Sequence, residues 1–507
     1  MRSSSRTLDR RLVAKISMSQ DLKKQMITAA KWSTIAEIVS KLVVPISTVI
    51  LARLLTPDAF GILVTATMII SFAEIFSDAG FHKYLIQHEF TSDDEKYKAV
   101  SVAFICNFLL SLVIWGVICL FSRKISLLVG CPGKEMVVIV SCVCIPISSF
   151  FSIQSAIFKR HFDFKTLFVV RFVGTLIPLV ITIPLAFFTR SYWALIIGMI
   201  AQSFSNALIL TVKSPWKPKL YFNRTCLKDM FSFSMWSMFE SVSIWLTGYI
   251  DIFIVGSVLN QHFLGIYTTS MTTVGQIMGL ITSATTPILY SSLSRLQNDD
   301  DEFKKVFFSF QKIVGLLVVP LGFGIFLFKD LCVKILLGNQ WLEAIHFVGL
   351  WGLTSSITII LSHYSSEVYR AKGKPKLSVL AQCLHIAVLL PVVLAFVRQD
   401  FDVLCTARSV VRFELILVNM LLMHFFIKIS PRKMVFNVFP AFLASVVMSL
   451  VVYFLPKSEG CLLNIVYICA AVLIYMGVVS LFKKERALVK TAFSLVSSRI
   501  FQFRSVR

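Results

Sequence analysis

Apolar runs of about twenty residues recur along the chain between short polar breaks, and a run of that length lets an α-helix cross roughly 30 Å of hydrocarbon. The pattern predicts fourteen spans, at residues 30–54, 58–81, 99–121, 136–158, 166–188, 192–212, 231–256, 263–290, 306–328, 343–366, 378–397, 403–427, 434–455 and 461–482. Polar residues around Glu343 and Glu414 interrupt two of them. The predicted loops on both sides are short, which leaves no extramembrane domain to carry catalysis.

The hydrophobic pattern is also written twice. RLLTPDAFGILVTATM at 53–68 returns as SVLNQHFLGIYTTSMT at 257–272. At an offset of 204 the ungapped segments 32–65 and 236–269 share Trp32 with Trp236, Ser33 with Ser237, Leu42 with Leu246, Ile46 with Ile250, Ile50 with Ile254, Leu55 with Leu259, Gly61 with Gly265, Ile62 with Ile266 and Thr65 with Thr269. Composition alone does not readily reproduce a shared Trp at the entry of a span and a shared Gly-Ile after the turn. The repeat starts at the first and seventh spans, an even offset, so both copies run in one direction. Parallel repeats of this kind are a transporter architecture. The expected fold class is an all-α polytopic membrane protein of two parallel six-helix lobes plus two extra C-terminal helices. The expected divisions are a basic segment 1–29, an N-lobe 30–213, a linker 214–229, a C-lobe 230–428, two added spans within 429–482, and a basic tail 483–507.

Composition agrees with the span pattern, since 56% hydrophobic and 15% charged residues are too apolar for a water-facing surface. The net charge of +23 would suggest nucleic acid in a soluble chain, but here Lys and Arg concentrate in the tails and alternate loops. That asymmetry follows the positive-inside rule. It predicts both termini in the cytoplasm, contact with anionic lipid headgroups and no nucleic-acid partner. Residues 1–29 are basic and broken by polar residues, so they are expected to form an amphipathic interfacial helix or a tail rather than a cleaved leader. The eleven cysteines and eight histidines show no metal-ligand spacing, and no GxxxxGK[ST] loop is present, so neither a metal nor ATP is expected.

The motifs LARLLTPDAFG (51–61), FSDAGF (76–81), YWAL (192–195), KPKLYF (217–222), DIFIVGSVLNQHFLGIYTTS (251–270), TTPILYSSLSRLQND (285–299) and LLGNQWLEA (336–344) together resemble Wzx-type polysaccharide repeat-unit flippases. These belong to the multidrug/oligosaccharidyl-lipid/polysaccharide exporter superfamily. The resemblance runs from about residue 25 to residue 345 and fades over the last third. It implies alternating-access transport of undecaprenyl-pyrophosphate-linked oligosaccharide, for O-antigen, capsule or exopolysaccharide, across the bacterial inner membrane. It further implies that the chain is no enzyme, that no cofactor beyond a proton or sodium gradient is needed, and that polysaccharide polymerase and chain-length machinery are partners. One departure is visible: FFTRS precedes Tyr192 where the family usually carries a glycine pair.

An ionisable side chain near mid-membrane costs roughly 2.5–3.5 kcal/mol on insertion scales and so needs a partner, a wet cavity or a task. Lys41, Arg171, Lys312, Arg408 and Arg412 meet that description. Glu37 precedes Lys41 by one turn and Pro45 follows it by one, which frees a carbonyl and bends the helix. The trio is either a site for the pyrophosphate or an ion pair at a hinge. Arg408 and Arg412 lie one turn apart and repel unless water or an anion separates them, although Glu414 is near enough to pair. Arg171 and Lys312 are close enough to span ends to reach the headgroups. On the acidic side, Glu240 and Asp251 have Ala36 and Ser47 as repeat counterparts, so the two lobes differ in charge. Asp251 matches a family aspartate and is either a helix-end acid or a coupling-ion site. Glu74 and Asp78 share a face, and Asp78 is expected to accept N–H groups of the turn before Gly80. The DxD matches at 299–301 and 400–402 have no nucleotide-binding domain around them. Two rivals remain: an ion-coupled multidrug exporter, which would want an anionic or aromatic lumen, and a glycan polymerase or ligase, which would want a large outer loop.

Overall fold

The computed structural model describes residues 41–161, 163–219, 221–455 and 461–488. The segment 1–29, Trp32, Ser33, Ala36, Glu37 and the tail beyond residue 488 lie outside the described residues. The described chain is helical with no strand. In chain order the helices are α1 (41–54), α2 (Pro57–Asp78), α3 (Phe81–Gln87), α4 (Asp93–Leu120), α5 (Ser122–Leu128), α6 (Glu135–Arg160), α7 (Phe164–Thr189), α8 (Trp193–Lys213), α9 (Arg224–Val258), α10 (Gln261–Arg295), α11 (Asp300–Leu327), α12 (Lys329–Leu336), α13 (Ala344–Ala371), α14 (Lys376–Phe396), α15 (Phe401–Ile427), α16 (Pro431–Tyr453) and α17 (Cys461–Val479). Eleven of these are long and apolar enough to cross a membrane: α2, α4, α6, α7, α8, α11, α13, α14, α15, α16 and the Met238–Val258 part of α9. α1, α10 and α17 occupy the positions of the first, eighth and fourteenth expected spans.

Two compact units divide inside α10, between Gly265 and Ile266. In the first unit α2 packs against α4, α6 and α9, and α8 packs against α6 and α7. In the second, α11 packs between α13 and α16, and α15 packs against α13 and α14. Water supplies no hydrophobic drive between helices in lipid, so small residues that permit close approach take over. Gly322 of α11 shows this: an added Cβ would strike the side chain of Ser356 and the carbonyl of Gly352 on α13.

The local signals for starting and stopping helices are explicit. Pro57 stands in the first turn of α2, where its missing N–H costs nothing. The helix stops at Ala79 (φ 44°) and Gly80 (φ 81°), a left-handed pair that turns the chain into α3. Ser92 caps α4 by accepting from Glu95 N–H at 3.2 Å, ahead of Asp93, Asp94 and Glu95 in the first turn. Asp299 caps α11 by accepting from Glu302 N–H at 3.1 Å, ahead of Asp300, Asp301 and Glu302. Acids there favour the helix dipole. The DxD at 299–301 is therefore helix-capping chemistry, and SDDE and DDDE extend the repeat into the third helix of each copy. The turn after α7 is built without a glycine pair. Arg190 takes the left-handed position itself (φ 50°) and its N–H closes on Ala186, a conformation that costs an L-residue roughly 1–2 kcal/mol.

The repeat has a structural counterpart within the first unit. An added Cβ on Gly61 would run into the carbonyl of Gln261, and one on Gly265 into the carbonyl of Pro57. Pro57 and Gln261 are themselves related by the offset of 204, so the contact is self-complementary, as across a local two-fold axis. Thr65 Oγ1 donates to Gln261 Oε1 at 3.1 Å, and Gln261 Nε2 donates to the Gly130 carbonyl at 2.8 Å.

Candidate functional site

Each unit holds one polar constellation that its apolar surroundings make conspicuous. In the first unit it lies where α2 turns into α3. A cavity of 400 Å³ is lined there by Glu74 and Asp78 of α2, His82 and Lys83 of α3, Asn107 of α4, Ser148, Ser152 and Lys159 of α6, and Ser241 of α9. Asp78 accepts from Ser152 Oγ at 2.7 Å and from Asn107 Nδ2 at 3.5 Å. It also takes hydrogen bonds from the backbone at Gly80 and His82, the turn role expected of it. Lys83 Nζ reaches Glu240 on α9 at 2.7 Å. Lys159 Nζ lies 3.1 Å from His82 Nε2. Burial first, then Lys159 and Lys83, push His82 down to about 4, so the imidazole is neutral and its lone pair can accept from the lysine. Trp245 Nε1 donates to Ser71 Oγ at 3.0 Å, fixing α9 beside this face of α2.

In the second unit the constellation is a pair of arginines on an indole. Trp351, Thr354 and Ser355 lie within about one turn of α13. Arg412 on α15 stacks with its guanidinium carbon 4.0 Å from the Trp351 ring centroid, and Arg408 lies 5.0 Å from the same centroid. Arg412 Nη1 donates to Ser355 Oγ at 2.7 Å and reaches Thr354 Oγ1 at 3.4 Å. Arg408 Nε donates to Tyr267 OH at 3.2 Å, and Tyr267 stacks on Phe347 with centroids 5.1 Å apart. Glu414, the acid nearest in sequence, turns away: its Oε2 is 2.9 Å from His385 Nδ1. Arg412 is thus held by an aromatic face and two hydroxyls rather than by a carboxylate. Such groups orient the guanidinium and leave its charge uncancelled.

The remaining expected residues fall as follows. Lys41 is half-buried in α1, and Pro45 sits in the same helix, which continues to residue 54. Glu37 is outside the described residues. Asp251 is buried in α9 at 3% exposure, with Oδ1 2.9 Å from Ile252 N–H, and its repeat counterpart Ser47 is buried too. Arg171 is exposed on α7. Lys312 pairs with Glu485 at 2.8 Å. The structure therefore brings Arg408 to Arg412, Glu240 to Lys83 and Lys312 to Glu485. Sequence reasoning missed Trp351, Lys83, Lys159 and Asn107. The i, i+4 spacing of Glu74 and Asp78 was visible, but the partners arrive from α4 and α6, which no local pattern connects.

The polysaccharide biosynthesis protein family matches residues 50–346. An uncharacterized membrane protein in the cps region of Klebsiella pneumoniae is 21% identical over 73% of this chain and 76% of its own. The succinoglycan biosynthesis transport protein ExoT of Rhizobium meliloti is 22% identical over 61% of this chain and 62% of its own. The lipopolysaccharide biosynthesis protein WzxC of Escherichia coli is 21% identical over 63% and 65%. This chain thus spans slightly less than two-thirds of the latter two. Among solved structures, the lipid II flippase MurJ in an inward closed conformation superposes with a TM-score of 0.69 at 16% identity, over 91% of this chain and all of that one. An inward-facing multidrug resistance MATE transporter superposes at 0.58 with 12% identity, over 78% and 98%. Both share the fold.

Proposed function

Because the chain belongs to the polysaccharide biosynthesis protein family, we propose that it moves undecaprenyl-pyrophosphate-linked oligosaccharide repeat units across the bacterial inner membrane by alternating access. The carrying observation is Arg412, stacked on Trp351 and hydrogen-bonded to Ser355, with Arg408 beside it. Two guanidinium groups on one indole repel unless an anion joins them, and a diphosphate supplies charge-assisted hydrogen bonds that offset its own desolvation. Named relatives support the reading, since ExoT is a succinoglycan transport protein and WzxC a lipopolysaccharide biosynthesis protein.

In this proposal both termini face the cytoplasm, Lys41 beside Pro45 is a candidate contact or gate for the pyrophosphate, and Asp251 serves an ion gradient. The polyprenyl tail stays in lipid, and a polymerase with its chain-length machinery receives the product. Reconstituted vesicles loaded with a pyrophosphate-linked oligosaccharide test it. Wild type should flip the lipid, while Arg412→Ala and Trp351→Leu, folded and inserted, should lose most of that activity. Efflux of small organic cations without flipping would give the multidrug reading the lead, although an uncancelled arginine is a poor host for a cationic drug.

A further inference from the structure

We propose that the His385–Glu414 pair in the second unit takes up a proton when a diphosphate binds the arginine pair, so that proton and substrate are bound together. Resting on the arginine pair as the substrate site, this gives a task to two residues outside it.

The pair is built between two membrane-spanning helices. Glu414 of α15 holds its Oε2 2.9 Å from Nδ1 of His385 on α14, and the histidine is 6% exposed. Ionisable side chains inside a membrane carry a cost that calls for a task. Packing alone does not account for the choice of partner. Glu414 lies two residues after Arg412, and a guanidinium would hold the carboxylate at any pH. It is held instead by an imidazole, the side chain whose charge ordinarily changes between about pH 5 and 8.

Position links the pair to the arginines. The charged groups that face His385 are Arg408, Arg412 and Glu414, all on α15. On α13, the other helix packed against α14, Glu367 pairs with Arg370 at 3.1 Å, and the His363 ring faces Arg370 and Arg412. An anion seated on the two guanidiniums cancels positive charge that faces His385. Proton binding to the pair then becomes easier, and the sign is the same whether the proton enters on the imidazole or on the carboxylate. The low dielectric between buried helices preserves the effect, which salt would screen at a surface. By reciprocity a protonated pair tightens anion binding by the same factor.

The full chain in detergent is titrated calorimetrically with a farnesyl-diphosphoryl hexose, a diphosphate diester whose own charge is constant across this pH range. Buffers of different ionisation enthalpy report the protons taken up. Wild type should take up a fraction of one proton per ligand, and Kd should fall as pH falls from about 8 to 5, by at most about tenfold per pH unit. His385→Gln should take up no proton and bind with an affinity flat in pH, while His363→Gln should keep both properties. Should His385→Gln misfold, Glu414→Gln takes its place; it removes the carboxylate that favours an imidazolium and should move the pH dependence to lower pH. Binding without proton uptake, proton release, or uptake that survives His385→Gln would overturn the linkage and leave the substrate site in place. Absence of binding at every pH would overturn the site and the linkage with it.

Discussion

Asp58 and His262 occupy the same place in two copies of one repeat and are bonded to each other, with Asp58 Oδ2 3.2 Å from His262 Nδ1. Three residues further on in each copy, Gly61 and Gly265 sit at the same crossing, where an added Cβ on Gly61 would strike the Gln261 carbonyl and one on Gly265 the Pro57 carbonyl. The contact is partly exposed and worth less than about 1 kcal/mol. The glycines decide how closely the helices cross, and they explain why the chain keeps a Gly-Ile in both copies.

Gly→Ala in a helix ordinarily stabilises by up to about 1 kcal/mol. At Gly61 and Gly265 the added methyl meets a backbone carbonyl, which cannot step aside, so Gly61→Ala and Gly265→Ala should instead lower stability by about 1–3 kcal/mol. Gly116, near the C-terminal end of α4 with nothing within 4 Å of an added Cβ, is the comparison. Melting temperatures should fall for the first two variants and hold or rise for Gly116→Ala. A fall at all three would mean that the repeat contact has no special claim.

At the arginine pair, charge and shape separate. Arg412→Lys keeps the cation but loses the planar stack on Trp351 and the fork that reaches Ser355 and Thr354. Hydrogen bonds to charged groups are worth about 1.5–3 kcal/mol, so pyrophosphate affinity should drop about 10- to 100-fold in Arg412→Lys and at least as far in Arg412→Ala. Binding of a pyrophosphate-linked oligosaccharide to purified protein measures it. An unchanged affinity in Arg412→Lys would reduce Trp351 to packing.

Much of this was legible beforehand. Run length gave the helices and the 204-residue offset gave the repeat, because hydrophobic period and shared residues are local facts. Arg408 and Arg412 were legible as a pair for the same reason. Trp351 was not, since it belongs to α13 and meets them only through packing. Lys312 shows the limit from the other side. Its depth suggested a reach to the headgroups, but its partner Glu485 lies 173 residues away in a tail that the apolar pattern does not describe. Arg190 shows a third kind of limit. The missing glycine pair signalled a different turn, while the left-handed arginine that builds it runs against propensity.

Cys131 gives a chemical reading of the Gly61–Gly265 crossing. It is 2% exposed, beside Gly130, whose carbonyl accepts from Gln261. Burial pushes its thiol up to about 11, against smaller lowering effects of Thr65 and Lys134. Only the thiolate attacks a maleimide, so Cys131 should label slowly near neutral pH, and about tenfold faster per unit as pH rises toward that value. Gln261→Leu removes the hydrogen bond that closes the site and should speed the labelling. Rapid reaction in wild type would contradict the burial of this corner.

The Lys312–Glu485 pair separates a structural charge from a transporting one. Its side chains are 18% and 6% exposed, so removing one partner strands the other in a poorly solvated place. A loss of about 3–5 kcal/mol is the usual result, whereas replacing both partners with apolar residues of similar volume is often neutral or stabilising. Glu485→Gln and Lys312→Met should therefore each lower the melting temperature, and the double variant Lys312→Met with Glu485→Leu should recover it. Flipping should recover with stability if the pair only ties the 483–488 helix to α11. A double variant that melts like wild type yet fails to flip would place the pair on the substrate's path, because stability would then be restored while the two charges removed are what transport lacks.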